Sequence, residues 1–557
     1  MVAKIKRETS PEDIRRITRI ELLSDKCYRS LALLRRPSNA AVWAALTECI
    51  RQFQDAIPDN LYGTRHHINA VTNFSLAATQ FCEFVKKYGR KDEIAPTLFD
   101  WNPRIASEAV NAIAVARGYA DFCGVFPYWH AQMYAAEVVD ECTIRFVSNA
   151  SPLGRRVTAY HQGIRPRGSK PYIQNTALEL TPTLQRLFAR SYSTATVVGR
   201  LAVKFSFLRE LREALFEVQE ARSDQMRRRY PTTVIGGYTL DDFKKFYSAI
   251  NAIAGAHEHL YHLWSQANAL PLGSAVLVEH RFEWVRQIRE LTKLDSDLIY
   301  EMLADTTFGR VPSTGFQVLP FVPLRAGGSV LALAPPFPLS SNWEENILGC
   351  LSRLDSDRYS AGSVTKEDEM REPLIALTSG TRLVTGGFKL PKSLPDIDLI
   401  VEDIDTRVLI VCELKWCRMP SGYKQKQERD REIRKGVGQI EAIRKFLEAH
   451  PSYLMDRKFV TKNLTGYNVV HFCVVARDHL IESLPGQAPI YSYEAFRSEL
   501  ENSQNTLAAL NSLSSFDWLP SEGPDFNVQF RRRWAGIAAL DAEAYFPGNG
   551  PRVFLQM

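Results

Sequence analysis

The stretch "PDIDLIVEDIDTRVLIVCELKW", residues 395–416, decides how this chain is read. Two apolar runs flank a polar turn, a pattern that predicts a buried β-hairpin. Charges nevertheless stand at the ends of those runs: Asp396, Asp398, Glu413 and Lys415. Side chains alternate along a strand, so Asp396 and Asp398 share one face of the first strand, and Glu413 and Lys415 share one face of the second. With a four-residue loop, 404–407, Asp398 stands opposite Glu413. A two-residue loop pairs Asp396 with Glu413 and leaves Asp398 diagonal to it. Either register brings two carboxylates and an ammonium to one end of a hairpin.

Two carboxylates a few ångströms apart repel unless a positive charge lies between them. A hard divalent cation with oxygen ligands meets that need, and Mg²⁺ is the usual one beside phosphate. Lys415 then sits where it can hold or deprotonate an attacking water. The competing explanation is a structural salt-bridge cluster at a strand end.

The flanks extend the pattern. "KEDEMREPLIALTSG" before the hairpin reads as a helix, and "TRLVTGGFKL" (381–390) offers a strand. After the hairpin come a long basic helix, "KQKQERDREIRKGVGQIEAIRKFLEAH", a buried strand, "NVVHFCVVAR", and a strand–helix pair in "APIYSYEAFRSELE". "PDID" followed by "ELK" at the end of a second strand resembles the PD-(D/E)xK nuclease superfamily, and the α-β-β-β-α-β order is compatible with its restriction-endonuclease-like core. The resemblance covers residues 366–505 and says nothing of the first 310. It implies Asp398 and Glu413 as metal ligands, Lys415 as the catalytic lysine, Glu372 as an accessory acid and third ligand (Glu369 being the second choice), and Gln439 on the helix after the motif. It also implies Mg²⁺ as cofactor, with Mn²⁺ able to substitute, and a nucleic-acid substrate, DNA ahead of RNA. Phage defence, mobile-element biology and repair are the settings it brings to mind.

The expected fold class is therefore multidomain: a mainly α-helical N-terminal region followed by an α/β restriction-endonuclease-like domain with a central mixed β-sheet. Residues 1–310 read as mainly helical, a part for substrate binding, oligomerisation, partner binding or sensing. Residues 311–365 read as a connecting hairpin and helix, with "GFQVLPFVPL" and "SVLALAPPF" around "RAGG". Residues 506–557 read as a C-terminal extension with a basic-aromatic segment, "RRRW". The Gly/Pro/Arg-rich stretch 151–173 reads as a loop.

Composition leaves these expectations open. The 557 residues are 45% hydrophobic and 24% charged, ordinary for a globular chain. No run of apolar residues is long enough for a transmembrane helix, and the N-terminus has no signal-peptide pattern. Nine cysteines lack paired spacing, so a reducing, cytoplasmic setting is expected. A net charge of +6 permits a nucleic-acid partner without demanding one. Residues 416–458 hold eleven Lys/Arg against six Asp/Glu, with Lys424, Lys426, Arg431 and Arg434 the candidate phosphate-binding side chains. Further basic clusters are Arg227–Tyr230, Arg531–Trp534, and Arg155, Arg156, Arg165, Arg167 and Lys170, with Tyr160 and Tyr172 available for stacking. "HEHLYH" (257–262) lacks zincin spacing and reads as ordinary helix histidines. No P-loop and no nucleophile elbow is present. Two other readings compete with a nuclease: an inactive relative that only binds nucleic acid, and a helical scaffold for protein partners.

Overall fold

A computed structural model describes residues 8–56, 65–162, 164, 181–198, 202–204, 209–226, 234–235, 237–267, 275–310, 319–339, 343–344, 346–348, 366–417, 420, 423–534 and 538–547. Helices dominate the N-terminal part and mixed sheets the C-terminal part. Four helices begin alike: Ser10, Asn102, Ser151 and Thr181 each accept a hydrogen bond from a first-turn backbone N–H, with proline next in the chain. The cap satisfies an orphan donor, and proline at the first helical position has no N–H to lose. Ser151–Pro152 corrects one expectation. Pro152–His161 is a helix, not a loop. Among the described residues no helix is long and apolar enough to cross a membrane.

The first hairpin is β1 (Tyr134–Asp140) and β2 (Thr143–Ser148). Two short hairpins follow, β3 (Thr196–Val198) with β4 (Ala202–Lys204), and β5 (Val234–Ile235) with β6 (Tyr238–Thr239). Then β7 (Leu277–His280), β8 (Phe321–Pro323) and β9 (Val330–Leu333) form a sheet in the order β7-β9-β8. Its two faces bury different cores. Val322, Leu324, Val330 and Ala332 pack against the helices Ser38–Ala56, Arg65–Tyr88 and Pro103–His130. Phe321, Leu331 and Leu333 pack against the helices Leu240–Ala267, Arg281–Thr292 and Ser296–Asp305. The β8–β9 hairpin, expected as a connector, is thus the middle layer of the helical region. Limited proteolysis should leave Val330–Phe337 uncut; a fragment starting within 331–337 would contradict this packing.

The C-terminal α/β unit follows the order helix, strand, strand, strand, helix, strand. A leading helix, Lys366–Ile375, precedes β10 (Arg382–Phe388), β11 (Ile397–Asp403) and β12 (Val408–Trp416). A long basic helix, Tyr423–Ala449, crosses to β13 (Val469–Arg477), and β14 (Ile490–Ser492) closes a five-stranded sheet in the order β10-β11-β12-β13-β14. β10–β11 and β11–β12 are antiparallel, while β12–β13 and β13–β14 are parallel. A parallel neighbour needs a crossover, which the long helix supplies. Leu399, Val401, Ile410, Cys412 and Leu414 face the leading helix and the helices Tyr493–Asn502 and Thr506–Ser515. Ile400, Leu409 and Val411 face Ile433, Val437, Ile440 and Ile443 of the long helix. A sheet buried on both faces explains why β11 and β12 read as near-continuous apolar runs.

The described residues after 506 are built into the fold. β15 (Phe526–Trp534) and β16 (Ala539–Pro547) join the first hairpin in a sheet ordered β1-β2-β16-β15, with β16 parallel to β2. One row across this sheet alternates in sign: Glu137, Arg145, Asp541, Arg532. The helix Pro152–His161 also ties the two parts together. Arg156 donates to the carbonyls of Phe516, Leu519 and Pro520, and Val157 lies in the same core as Ile433 and Val437.

Candidate active site

The hairpin turn has four residues, 404–407. Asp403 stands opposite Val408, Val401 opposite Ile410 and Leu399 opposite Cys412. The Asp403 carboxylate accepts from Thr406 N–H at 3.0 Å and from Thr506 N–H at 3.1 Å, which fixes the turn. Burial alone would raise the pKa of Asp403, but these backbone donors outweigh it and hold the carboxyl below its usual range. Continuing the register places Asp398 opposite Glu413, on the face of the long helix.

Beyond Leu399 and Cys412 the two strands part, while β12 stays paired with β13 as far as Trp416. Parting leaves a backbone donor of β12 without its strand partner, and a buried donor must be satisfied. Asp398 Oδ2 accepts from Leu414 N–H at 2.7 Å. Next to it, Lys415 Nζ makes an ion pair with Glu413 Oε1, and the Glu413 side chain is 3% exposed. The long helix closes over this pair at Gly436. A Cβ there would lie 2.9 Å from Lys415 Cε, 3.0 Å from Lys415 Cγ and 3.5 Å from Glu413 Cγ. Glycine inside a helix costs about 1 kcal/mol relative to alanine, so a glycine at this point has a steric reason.

The accessory residues divide. The leading helix buries Met370 and Leu374 against the sheet, which turns Glu372 outward to solvent. Glu369, one position before Met370, is 6% exposed. Of the two acids, Glu369 is therefore the inward one, the reverse of the expected preference. Among the described residues no three His, Cys, Asp or Glu side chains gather in metal-holding geometry, so Asp398, Glu413 and Glu372 do not meet as a set. Asp396 is exposed. Gln439, one turn beyond Gly436, has its Oε1 buried with no hydrogen-bond partner among the described residues.

Three further features carry weak sequence signals. Arg371 of the leading helix lies over Gly386–Gly387 of β10. A Cβ on Gly386 would fall 2.7 Å from Arg371 Cδ and 2.5 Å from the Asp398 carbonyl oxygen. Paired glycines inside a strand pattern are the available hint of this close approach. Glu402, 2% exposed, is held by Thr461 N–H at 2.9 Å and by the Tyr467 hydroxyl; burial and that carboxylate push the phenol upward. This acid anchors a loop on the far side of the hairpin. Cys412 and Cys473 lie side by side with sulfurs 3.6 Å apart, and burial raises the Cys412 thiol well above its ordinary pKa, which leaves it unreactive.

On the long helix Lys424, Arg431, Arg434 and Lys435 are exposed, while Lys426 lies 5.7 Å from the centre of the Tyr128 ring. Other basic clusters serve the fold. Arg155 lies near Glu522 and Glu543, and Arg532 forms a two-pronged pair with Asp541 at 2.9 and 3.0 Å. Tyr160 shares its hydroxyl with Ser492. Arg165, Arg167, Lys170, Tyr172 and Arg227–Tyr230 lie outside the described residues. On the helix Leu240–Ala267, burial lowers the pKa of His259, whose ring packs against Phe188, and raises Glu258 to about 7.

Comparison with known protein families, with curated proteins and with solved structures finds no match to this chain.

Proposed function

We propose that the chain is a divalent-metal-dependent nuclease of the PD-(D/E)xK type, acting on DNA, with its catalytic centre at the parting of β11 and β12. The observation that carries this reading is the placement of Asp398 opposite Glu413, with Lys415 paired to Glu413 beneath Gly436. The helix–three strands–helix–strand order supports a restriction-endonuclease-like core.

The donors fit a hard cation. Asp398 and Glu413 offer oxygen only, and Cys412 points to the opposite face of the sheet. One residue's N–H and C=O leave a strand on the same side, so the Leu414 carbonyl lies toward Asp398 as its N–H does. Mg²⁺, or Mn²⁺ in its place, would be held by Asp398 and Glu413, and would supply Lewis acidity and a more acidic water. The chain's own work is positional. In the metal-free fold Lys415 neutralises Glu413. During reaction its ammonium orients the attacking water and offsets charge growing on the phosphate. Gly436 keeps the space in which Lys415 does this, and Gln439 brings a buried amide to the same helix face.

One observation favours a second reading, a relative that binds nucleic acid without cutting it: both carboxylates already meet donors within the chain. Plasmid, single-stranded DNA and RNA incubated with Mg²⁺, Mn²⁺ or EDTA separate the two. Cleavage that needs the metal and fails in Glu413→Gln supports the nuclease; retention of nucleic acid without cleavage supports the second reading.

Binding should be electrostatic. Replacing Lys424, Lys426, Arg431 and Arg434 by Gln is expected to weaken DNA binding. It should also flatten the slope of log K against log salt by about 0.9 for each phosphate that the variant no longer neutralises. An unchanged slope would move the DNA-binding surface away from the long helix.

A further inference from the structure

The turn between β8 and β9 borders an open pocket of about 430 Å³, far in sequence from the carboxylate hairpin. Three arginines line it, Arg281, Arg310 and Arg325, against one acid, Glu93. Arg310 and Arg325 are exposed and have no acidic partner among the described residues. Arg281 is oriented from behind. Its Nη2 donates to the Tyr300 carbonyl at 3.0 Å, its guanidinium lies 5.5 Å from the Tyr300 ring centre, and its Nε is buried with no partner among the described residues.

The backbone of the turn offers a donor as well. Gly327 and Gly328 both adopt left-handed conformations, φ 73° and 67°. The Gly328 N–H closes this turn on the Arg325 carbonyl at 2.9 Å. The turn already holds an anionic group of this chain: Ala326 N–H donates to Glu93 Oε2 at 3.2 Å. A carboxylate held by a backbone N–H in a pocket lined by three arginines marks where a more highly charged oxyanion binds better.

We propose that this pocket is a binding site for a phosphomonoester, with Glu93 as an internal placeholder that the phosphate displaces. Arg310 and Arg325 clamp the phosphate oxygens and Arg281 supplies charge from the pocket wall. The volume suits a ligand of nucleotide size, and Ala304, Pro323 and Leu331 give it an apolar side. Two sources share this chemistry, a free mononucleotide and the phosphorylated end of a nucleic-acid strand. No residue of 366–505 lines the pocket, so the proposal stands apart from the nuclease reading.

Calorimetry on the full chain tests it, with inorganic phosphate, AMP and adenosine as probes, and a short DNA oligonucleotide with either a 5′-phosphate or a 5′-hydroxyl. Phosphate and AMP are expected to bind and adenosine not to. Arg310→Gln with Arg325→Gln should weaken AMP about tenfold or more without changing the melting temperature, since both side chains are exposed. Glu93→Gln should tighten AMP several-fold, because the competing carboxylate is gone. Tighter binding of the 5′-phosphorylated oligonucleotide than of its 5′-hydroxyl counterpart assigns the site to strand ends, and equal binding of the two assigns it to the free nucleotide. AMP affinity unchanged in the double variant, or adenosine binding as well as AMP, overturns the proposal.

Discussion

Lys415→Ala is expected to bind DNA within a few-fold of the parent while cutting it about 10²-fold or more slowly. The split follows from where the ammonium sits. It is held against Glu413 at the end of β12, and it contributes little to the exposed basic surface of the long helix. A charge that orients water and meets charge developing on phosphate acts on the transition state more than on the bound ground state. Its loss therefore appears in turnover rather than in affinity. Lys415→Gln should fail as well, since the amide carries no charge. Single-turnover cleavage beside equilibrium binding checks both halves. A folded Lys415→Ala protein with full cleavage activity would return the hairpin to a structural salt bridge.

Gly436→Ala should lower the rate by a similar amount at a net loss of stability of about 2 kcal/mol or less. The added methyl meets Lys415 Cε at 2.9 Å, and a flexible lysine stem yields more easily than backbone. Lys415 then leaves Glu413, and a misplacement near 1 Å costs about 10²-fold in rate. Crowding in a packed site costs about 1–3 kcal/mol, while alanine in a helix interior returns about 1 kcal/mol over glycine, so the net cost is about 0–2 kcal/mol and the variant should stay folded. Gly438 on the same helix is the control, because a Cβ there meets nothing within 4 Å. Gly438→Ala should leave the rate unchanged and stabilise by about 1 kcal/mol or less. Equal rates for the two alanine variants would mean that the long helix does not shape the site.

The hairpin is legible in the sequence because a period of two and a polar turn fix which side chains share a face. The four-residue loop then sets Asp398 against Glu413. The order of elements from 366 follows from apolar runs and from "TRLVTGGFKL" supplying β10. The choice between Glu369 and Glu372 does not follow. Both lie on one short helix, and the decision rests on Met370 and Leu374 facing the sheet, which only packing settles. Long-range pairing is equally hidden. Nothing local in "FNVQFRRRW" announces that β15 and β16 complete a sheet begun by β1 and β2, or that Asp541 engages the arginine at 532. A run of arginines looks the same whether it faces phosphate or a cross-strand carboxylate. The helix at 152–161 is concealed because its glycine and arginines outweigh the Ser-Pro start signal.

The most direct test of the central claim is Mn²⁺ titration by calorimetry of the parent protein, Asp398→Asn and Glu413→Gln, with melting temperatures taken on the same samples. If the two opposed carboxylates are metal ligands, the parent binds Mn²⁺ and each variant loses that binding while staying folded. Folded variants that bind Mn²⁺ with the parent's affinity, or a parent that binds none, would contradict it.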